Sequence, residues 1–159
     1  MPNIVLTRID NRLIHGQVGM YLIGHCGANL VVVANDEAAN DPVLQQVMKI
    51  TADSSNVGVR FFTIAKTIEV IHKASDSQKI LLVCKNPQDV RALFEGGVPI
   101  NKVNVGNMHV APGKRKNSKP HVYLDDKDLE DFAYLRDHGV EIYIQMIFQE
   151  RPVEIDYSK

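Results

Sequence analysis

Two hydrophobic patterns alternate along this chain, and their alternation narrows the choice of fold more than any other feature of the sequence. Short, nearly continuous apolar runs occur at Ile4-Val5-Leu6, Asn29 to Ala34, Val59 to Phe62, Lys79 to Cys84, Lys102 to Gly106, Val122 to Leu124 and Val140 to Ile144. Runs without internal alternation are expected of strands covered on both faces, as in parallel sheets. Between them lie stretches with apolar residues at helical spacing: Val18 to Ile23; Val43, Leu44, Val47 and Met48; Ile64, Ile68 and Ile71; Val90, Leu93 and Phe94; Leu129, Phe132 and Leu135. Asp41-Pro42 and Asn86-Pro87 read as helix starts, and Gly96-Gly97 and Gly139 as helix ends. Because parallel strands are joined by right-handed crossovers, the order predicts an α/β fold. It is a mainly parallel open sheet of about six to seven strands with helices on both faces.

At 159 residues and 45% hydrophobic content, the chain fits one domain spanning 1–159. A formal charge of -1 gives no general attraction to nucleic acid or anionic lipid, so no nucleic-acid partner is expected. No apolar run reaches the roughly 18 residues that span a bilayer, and the first residues lack the pattern of a signal peptide, so a cytoplasmic location is expected. Cys26 and Cys84 form no CxxC pair, and His25 beside Cys26 makes a poor pair of metal ligands, so no metal is expected.

Chemistry concentrates in the stretch Arg8-Ile9-Asp10-Asn11-Arg12-Leu13-Ile14-His15-Gly16-Gln17-Val18. It follows the first apolar run and precedes the first helical stretch, so it reads as a loop at the carboxyl edge of the sheet, where open α/β folds bind ligands. The loop offers two guanidinium groups, a carboxylate and an imidazole, followed by a glycine and by the free amides of a helix N-terminus. Near pH 7 much of an imidazole with a pKa of about 6.5 is neutral, and its lone pair can attack phosphorus. Arg12 or Arg8 and the helix amides would then meet the phosphoryl oxygens, and Asp10 would hold an arginine or the second ring nitrogen. From the residues alone two readings stand, a phosphohistidine at His15 and a solvated loop histidine beside capping residues.

The same stretch resembles the signature of IIB components in the mannose and sorbose family of the phosphoenolpyruvate-dependent sugar phosphotransferase system. The likeness extends from about residue 3 to about residue 146. It implies a phosphocarrier, a transferase that takes a phosphoryl group from a histidine of a IIA component and gives it to a sugar held by the membrane components IIC and IID. His15 falls on the phosphorylated residue, accepting through Nδ1, and no cofactor is implied. Asp10, Arg12, Gly16, Gln17 and Arg8 fall among residues expected to bind or orient phosphate. Asn35 and Asp36, in a matching Asn-Asp-Glu motif after the second apolar run, and His109, in a long basic loop from Asn107 to Lys119, are expected at the rim.

Arg60-Phe-Phe-Thr-Ile-Ala-Lys-Thr-Ile, Gly96-Gly-Val and Asn104-Val-Gly-Asn-Met-His109 resemble the N-acetylgalactosamine and galactosamine branch, from which Val110-Ala-Pro112 departs. Two other classes compete with the phosphocarrier. A receiver-like regulatory module would need an acidic pair after the first strand, and a nucleotide or other small-ligand protein of similar fold would usually carry a Gly-rich phosphate loop; neither pattern is present.

Overall fold

The computed structural model describes residues 2–158, apart from the side chains of Gln17 and Val18. Strand β1 (Asn3–Asp10) leads through a short loop into helix α1 (Gly16–Cys26), and β2 (Leu30–Ala34) through the single turn α2 (Asp36–Ala39) into α3 (Pro42–Ser54). The chain continues through β3 (Gly58–Phe62), α4 (Ile64–Val70), β4 (Lys79–Cys84), α5 (Pro87–Glu95) and β5 (Lys102–Asn107). A hairpin of β6 (Arg115–Asn117) and β7 (Lys119–Leu124) precedes α6 (Asp126–Asp137) and β8 (Glu141–Ile144).

Six strands pair in the order β3-β2-β4-β1-β5-β8, and every pairing is parallel. Side chains of a strand alternate between faces, and the two halves of the core follow that alternation. Val31, Val33, Leu81 and Val83 pack with Ile23 of α1 and Met48 of α3. Leu30, Val32, Ile80, Leu82 and Cys84 pack with Val90 and Leu93 of α5 and with Leu129, Phe132 and Leu135 of α6. Helices therefore cover both faces, as the alternation of patterns predicted.

This order positions the site. From β1 the chain moves by way of α1 towards the β3 edge; from β4 it moves by way of α5, on the other face, towards the β8 edge. Connections leaving adjacent strands in opposite directions open a crevice at the carboxyl ends of β1 and β4, where α/β sheets bind their ligands. Asn11, Lys85, Asn86, Met108, His109 and Lys114 line a cleft there.

Three expectations need correction. The run Val122 to Leu124 is not a seventh strand of the main sheet but half of an antiparallel hairpin beside it. Its partner Arg115-Lys116-Asn117 has no apolar residue, so no strand pattern announced it. The supposed basic loop from Asn107 to Lys119 is accordingly shorter, since β5 reaches Asn107 and β6 takes 115–117. Finally, Arg8, Ile9 and Asp10 belong to β1 and not to the loop that follows. Two charged residues interrupt the apolar run, and their charges are satisfied inside the protein.

The tail folds back as a strap. Ile144 and Val153 exchange two backbone hydrogen bonds, of 2.7 and 3.1 Å, in an isolated antiparallel bridge along the outer side of β8. Ser118 Oγ donates to the Glu154 carbonyl at 2.7 Å, which ties the hairpin to the same segment.

Phe132 is fully buried between α6 and the sheet. Phe132→Ala should lower unfolding free energy by about 3–5 kcal/mol, as large-to-small core changes of this kind do. Urea denaturation would check it, and a loss under about 1 kcal/mol would mean that this face is not close-packed.

Candidate functional site

The end of β1 is built around a buried cation. Arg8 and Asp10 are each 2% exposed and lie on the face opposite Ile9, their charged groups 3.4 Å apart. Arg8 Nη1 donates to Asn104 Oδ1 at 2.6 Å and to the Gln145 carbonyl at 3.0 Å, while Nη2 donates to the Met146 carbonyl at 3.0 Å. The guanidinium thus joins β1, β5 and the segment after β8.

Space for it comes from a bulge. Ile9 pairs with Val105 and Asp10 with Asn107, so Gly106 is left over in β5. A Cβ at Gly106 would lie 2.1 Å from Arg8 Cζ, which leaves glycine as the only residue that fits. The bulge also carries Asn107 forward, where its carbonyl accepts from the Asn11 amide at 3.0 Å.

Asp10 passes this order to the loop. Its Oδ1 accepts from the Arg12 amide at 3.0 Å, and its backbone carbonyl accepts from the Leu13 amide at 2.9 Å. Leu13 takes a left-handed backbone, φ 60°, which L-residues with a Cβ seldom adopt. Burial of Leu13 and of Ile14 against the core of that face holds the loop in this shape.

His15 is the residue just before α1, in extended conformation, and its own side chain makes no capping hydrogen bond to this helix. The helix N-terminus, with its partial positive charge, is thereby open to an anion. Gly16 follows at φ 50°, with no atom within 4 Å of where a Cβ would stand. Glycine is needed here for its backbone, and the space beside it is free.

The imidazole is half-buried, and its pKa is lowered, first by burial and next by the charge of Arg12; Asp10 pulls the other way. Arg12 itself stays largely in solvent, its side chain 48% exposed and its Nε 3.9 Å from Asp10 Oδ1. The result is a ring biased to its neutral form near a half-exposed guanidinium. His15 Nδ1 is buried and has no hydrogen-bond partner among the described residues.

The other residues expected at the site separate into groups. Arg8, counted among those that meet phosphate, is buried with both terminal nitrogens bonded to the protein and Nε without a partner among the described residues, and so bears on Asp10 rather than on a ligand. Asn35 caps α2, accepting from the Ala38 amide at 2.8 Å, and Asp36 accepts from the Ile64 amide at 2.8 Å; both are tied into turn structure two strands from β1. His109 is exposed on the cleft that Asn11 also lines. The Gln17 side chain lies outside the described residues.

Within the basic stretch, Lys114 pairs with Asp128 at 2.7 Å and Arg115 with Asp126 at 3.2 Å, binding the hairpin to the acidic start of α6. Residues missed from the sequence are Asn104, Gly106 and His121. His121 Nε2 is buried without a partner, and the ring's pKa is lowered chiefly by burial. An isolated glycine and a polar residue inside an apolar run are signals of a bulge and of a buried polar contact, and Asn104 and Gly106 carried both.

Comparison with known proteins identifies relatives of the whole chain. A model of the PTS system sorbose subfamily IIB component matches residues 4–157. The N-acetylgalactosamine-specific phosphotransferase enzyme IIB component 1 of Escherichia coli K12 is 54% identical over 144 residues, 91% of this chain and 90% of that one. Component 2 of the same organism is 52% identical over 155 residues, 98% of each chain. The crystal structure of the PTS system N-acetylgalactosamine-specific IIB component 1 from Escherichia coli superposes with a TM-score of 0.94 at 50% identity, covering 97% of this chain and all of that one, 100%.

Because burial and Arg12 both disfavour the imidazolium, His15 should titrate below the ordinary value of about 6.5. Arg12→Gln removes one of those causes, so the midpoint should move to higher pH in an NMR titration of the ring. A wild-type midpoint at or above 6.5, or a downward shift in the variant, would contradict this electrostatic picture.

Proposed function

The chain belongs to the sorbose subfamily of IIB components of the phosphotransferase system and is a sugar phosphotransfer component, and from that premise we propose that His15 carries the phosphoryl group. The observation that supports this most is the pairing of a neutral-biased imidazole with the N-terminus of α1 and the free space at Gly16. A nucleophile needs its lone pair, an incoming phosphoryl group needs positive neighbours, and a partner needs a way in.

In the first step a ring nitrogen of His15 attacks the phosphorus of a phosphohistidine on the IIA component. The new N–P bond forms as the old one breaks, and the electron pair of the old bond returns to the donor imidazole. Arg12 and the first amides of α1 meet the oxygens of the group in flight, which is the chief work a protein does in phosphoryl transfer. In the second step a sugar hydroxyl oxygen attacks, its proton is lost, and His15 takes back its lone pair.

The accepting atom is Nδ1. It is buried in the resting geometry, so the ring turns to present it when the donor docks. Asp10 orients the loop and Arg12, Arg8 holds Asp10, and Gln17 contributes through the start of α1. His109, on the neighbouring cleft, belongs to the rim that a partner covers.

The sugar is N-acetylgalactosamine or a related amino sugar, for which both Escherichia coli relatives are named. It is presented by membrane components IIC and IID. No helix among the described residues is long and apolar enough to cross a membrane, in keeping with a cytoplasmic chain that meets the transporter at its surface.

His15→Ala should abolish acceptance of labelled phosphate from a phosphorylated IIA component, while circular dichroism and the denaturation midpoint stay near those of the parent. Label on the parent chain should be lost in acid and kept in base, as for a phosphoramidate. Incorporation by the alanine variant, or an acid-stable label, would remove His15 from the pathway.

A further inference from the structure

The geometry points to Asn104 as a positioning residue for phosphoryl transfer at His15, acting through Arg8 and Asp10 without touching substrate; this rests on His15 being the acceptor. Arg8 and Asn104 face each other in register on neighbouring parallel strands. Asn104 Oδ1 accepts from Arg8 Nη1 at 2.6 Å, and Asn104 Nδ2 donates to the Gln145 carbonyl at 3.0 Å. That carbonyl also accepts from Arg8 Nη1 at 3.0 Å, so the amide and the guanidinium are locked in one triangle.

The lock matters because Asn104 is the bond to Arg8 that comes from the neighbouring strand β5. The other partners of Arg8 are two backbone carbonyls after β8 and the Asp10 carboxylate at 3.4 Å, the longest of these bonds. The guanidinium lies against the bare backbone of Gly106, which gives it room but no bond. Asn104 is therefore the one side chain besides Asp10 that Arg8 bonds among the described residues, and its 2.6 Å bond, the shortest that Arg8 makes, helps to set where the cation stands relative to the carboxylate.

Asp10 in turn holds the Arg12 amide at 3.0 Å and stands 3.9 Å from Arg12 Nε. The charges of Arg12, Asp10 and Arg8 all act on the His15 ring. Moving Arg8 thus changes both the shape of the loop and the field at the nucleophile, from a side chain that is itself buried. A residue acting this way alters the rate of transfer and leaves docking alone.

The test uses the full chain with Asn104→Leu, Asn104→Ala and Asn104→Asp, a 32P-labelled IIA component of an N-acetylgalactosamine system as donor, and His15→Ala as control. Asn104→Leu, which removes the acceptor at similar size, should lower the transfer rate at saturating donor about tenfold or more, with little change in the half-saturating donor concentration, and should move the His15 titration midpoint. Asn104→Asp keeps an acceptor for Nη1 but loses the donor to the Gln145 carbonyl and sets a second carboxylate against Arg8 in competition with Asp10, so it should also slow transfer and move the His15 midpoint, with little change in the half-saturating donor concentration. A folded Asn104→Leu chain with parental rate and His15 midpoint would overturn the proposal. If Asn104→Leu does not fold, Asn104→Ala decides: a folded variant slowed about tenfold at unchanged half-saturating donor supports the proposal, and a folded variant at the parental rate overturns it. Label on His15→Ala would defeat the acceptor assignment itself, whereas an inert control beside indifferent Asn104 variants would defeat the positioning role alone.

Discussion

The site depends on one interaction hidden beneath it, the buried ion pair of Arg8 and Asp10. Two opposite charges removed from water are stable only if their remaining hydrogen-bonding groups are met, and removing one partner from such a pair typically costs about 3–5 kcal/mol. Arg8 meets the condition at its two terminal nitrogens, with an asparagine side chain and two carbonyls, while its buried Nε has no partner among the described residues; Asp10 meets it with the Arg12 amide. Those bonds reach across β1, β5 and the segment after β8, so the pair is as much a joint of the fold as a part of the site. A mutation at either charge would disturb both.

From this joint outward, the protein becomes progressively less constrained. Asp10 is sealed, Leu13 and Ile14 are buried, His15 is half-buried and Arg12 reaches into solvent. A buried base under an exposed rim suits the phosphoryl acceptor proposed for His15, which would have to receive the group and surrender it, since only preference for the transition state speeds either step. The lowered pKa of His15 fits the same logic, because the cost of burying a cation next to Arg12 falls on the protonated ring and spares the neutral one.

Much of this was readable from the sequence, though unevenly. The apolar runs gave the sheet and the helical stripes gave its covering, because burial on two faces leaves a pattern that needs no knowledge of partners. His15 stood out through its company of charges. The extent of β1 did not, since Arg8 and Asp10 look like the start of a loop until their pairing is seen. Asn104 and Gly106 read as features of a likeness in sequence, and their meaning depends on a strand far away in the chain. The hairpin partner Arg115-Lys116-Asn117 was hidden for the same reason: its place is set by ion pairs to α6, which local periodicity cannot show.

The strap formed by the tail has a consequence for the molecule among its own copies. An all-parallel sheet ends in two strands whose outer amides and carbonyls invite a stranger to add itself. Val153 occupies that invitation at Ile144, in antiparallel sense and over a single bridge, enough to interrupt the row without lengthening the sheet. At the β8 end, a second copy of this chain therefore finds one pairing position already taken.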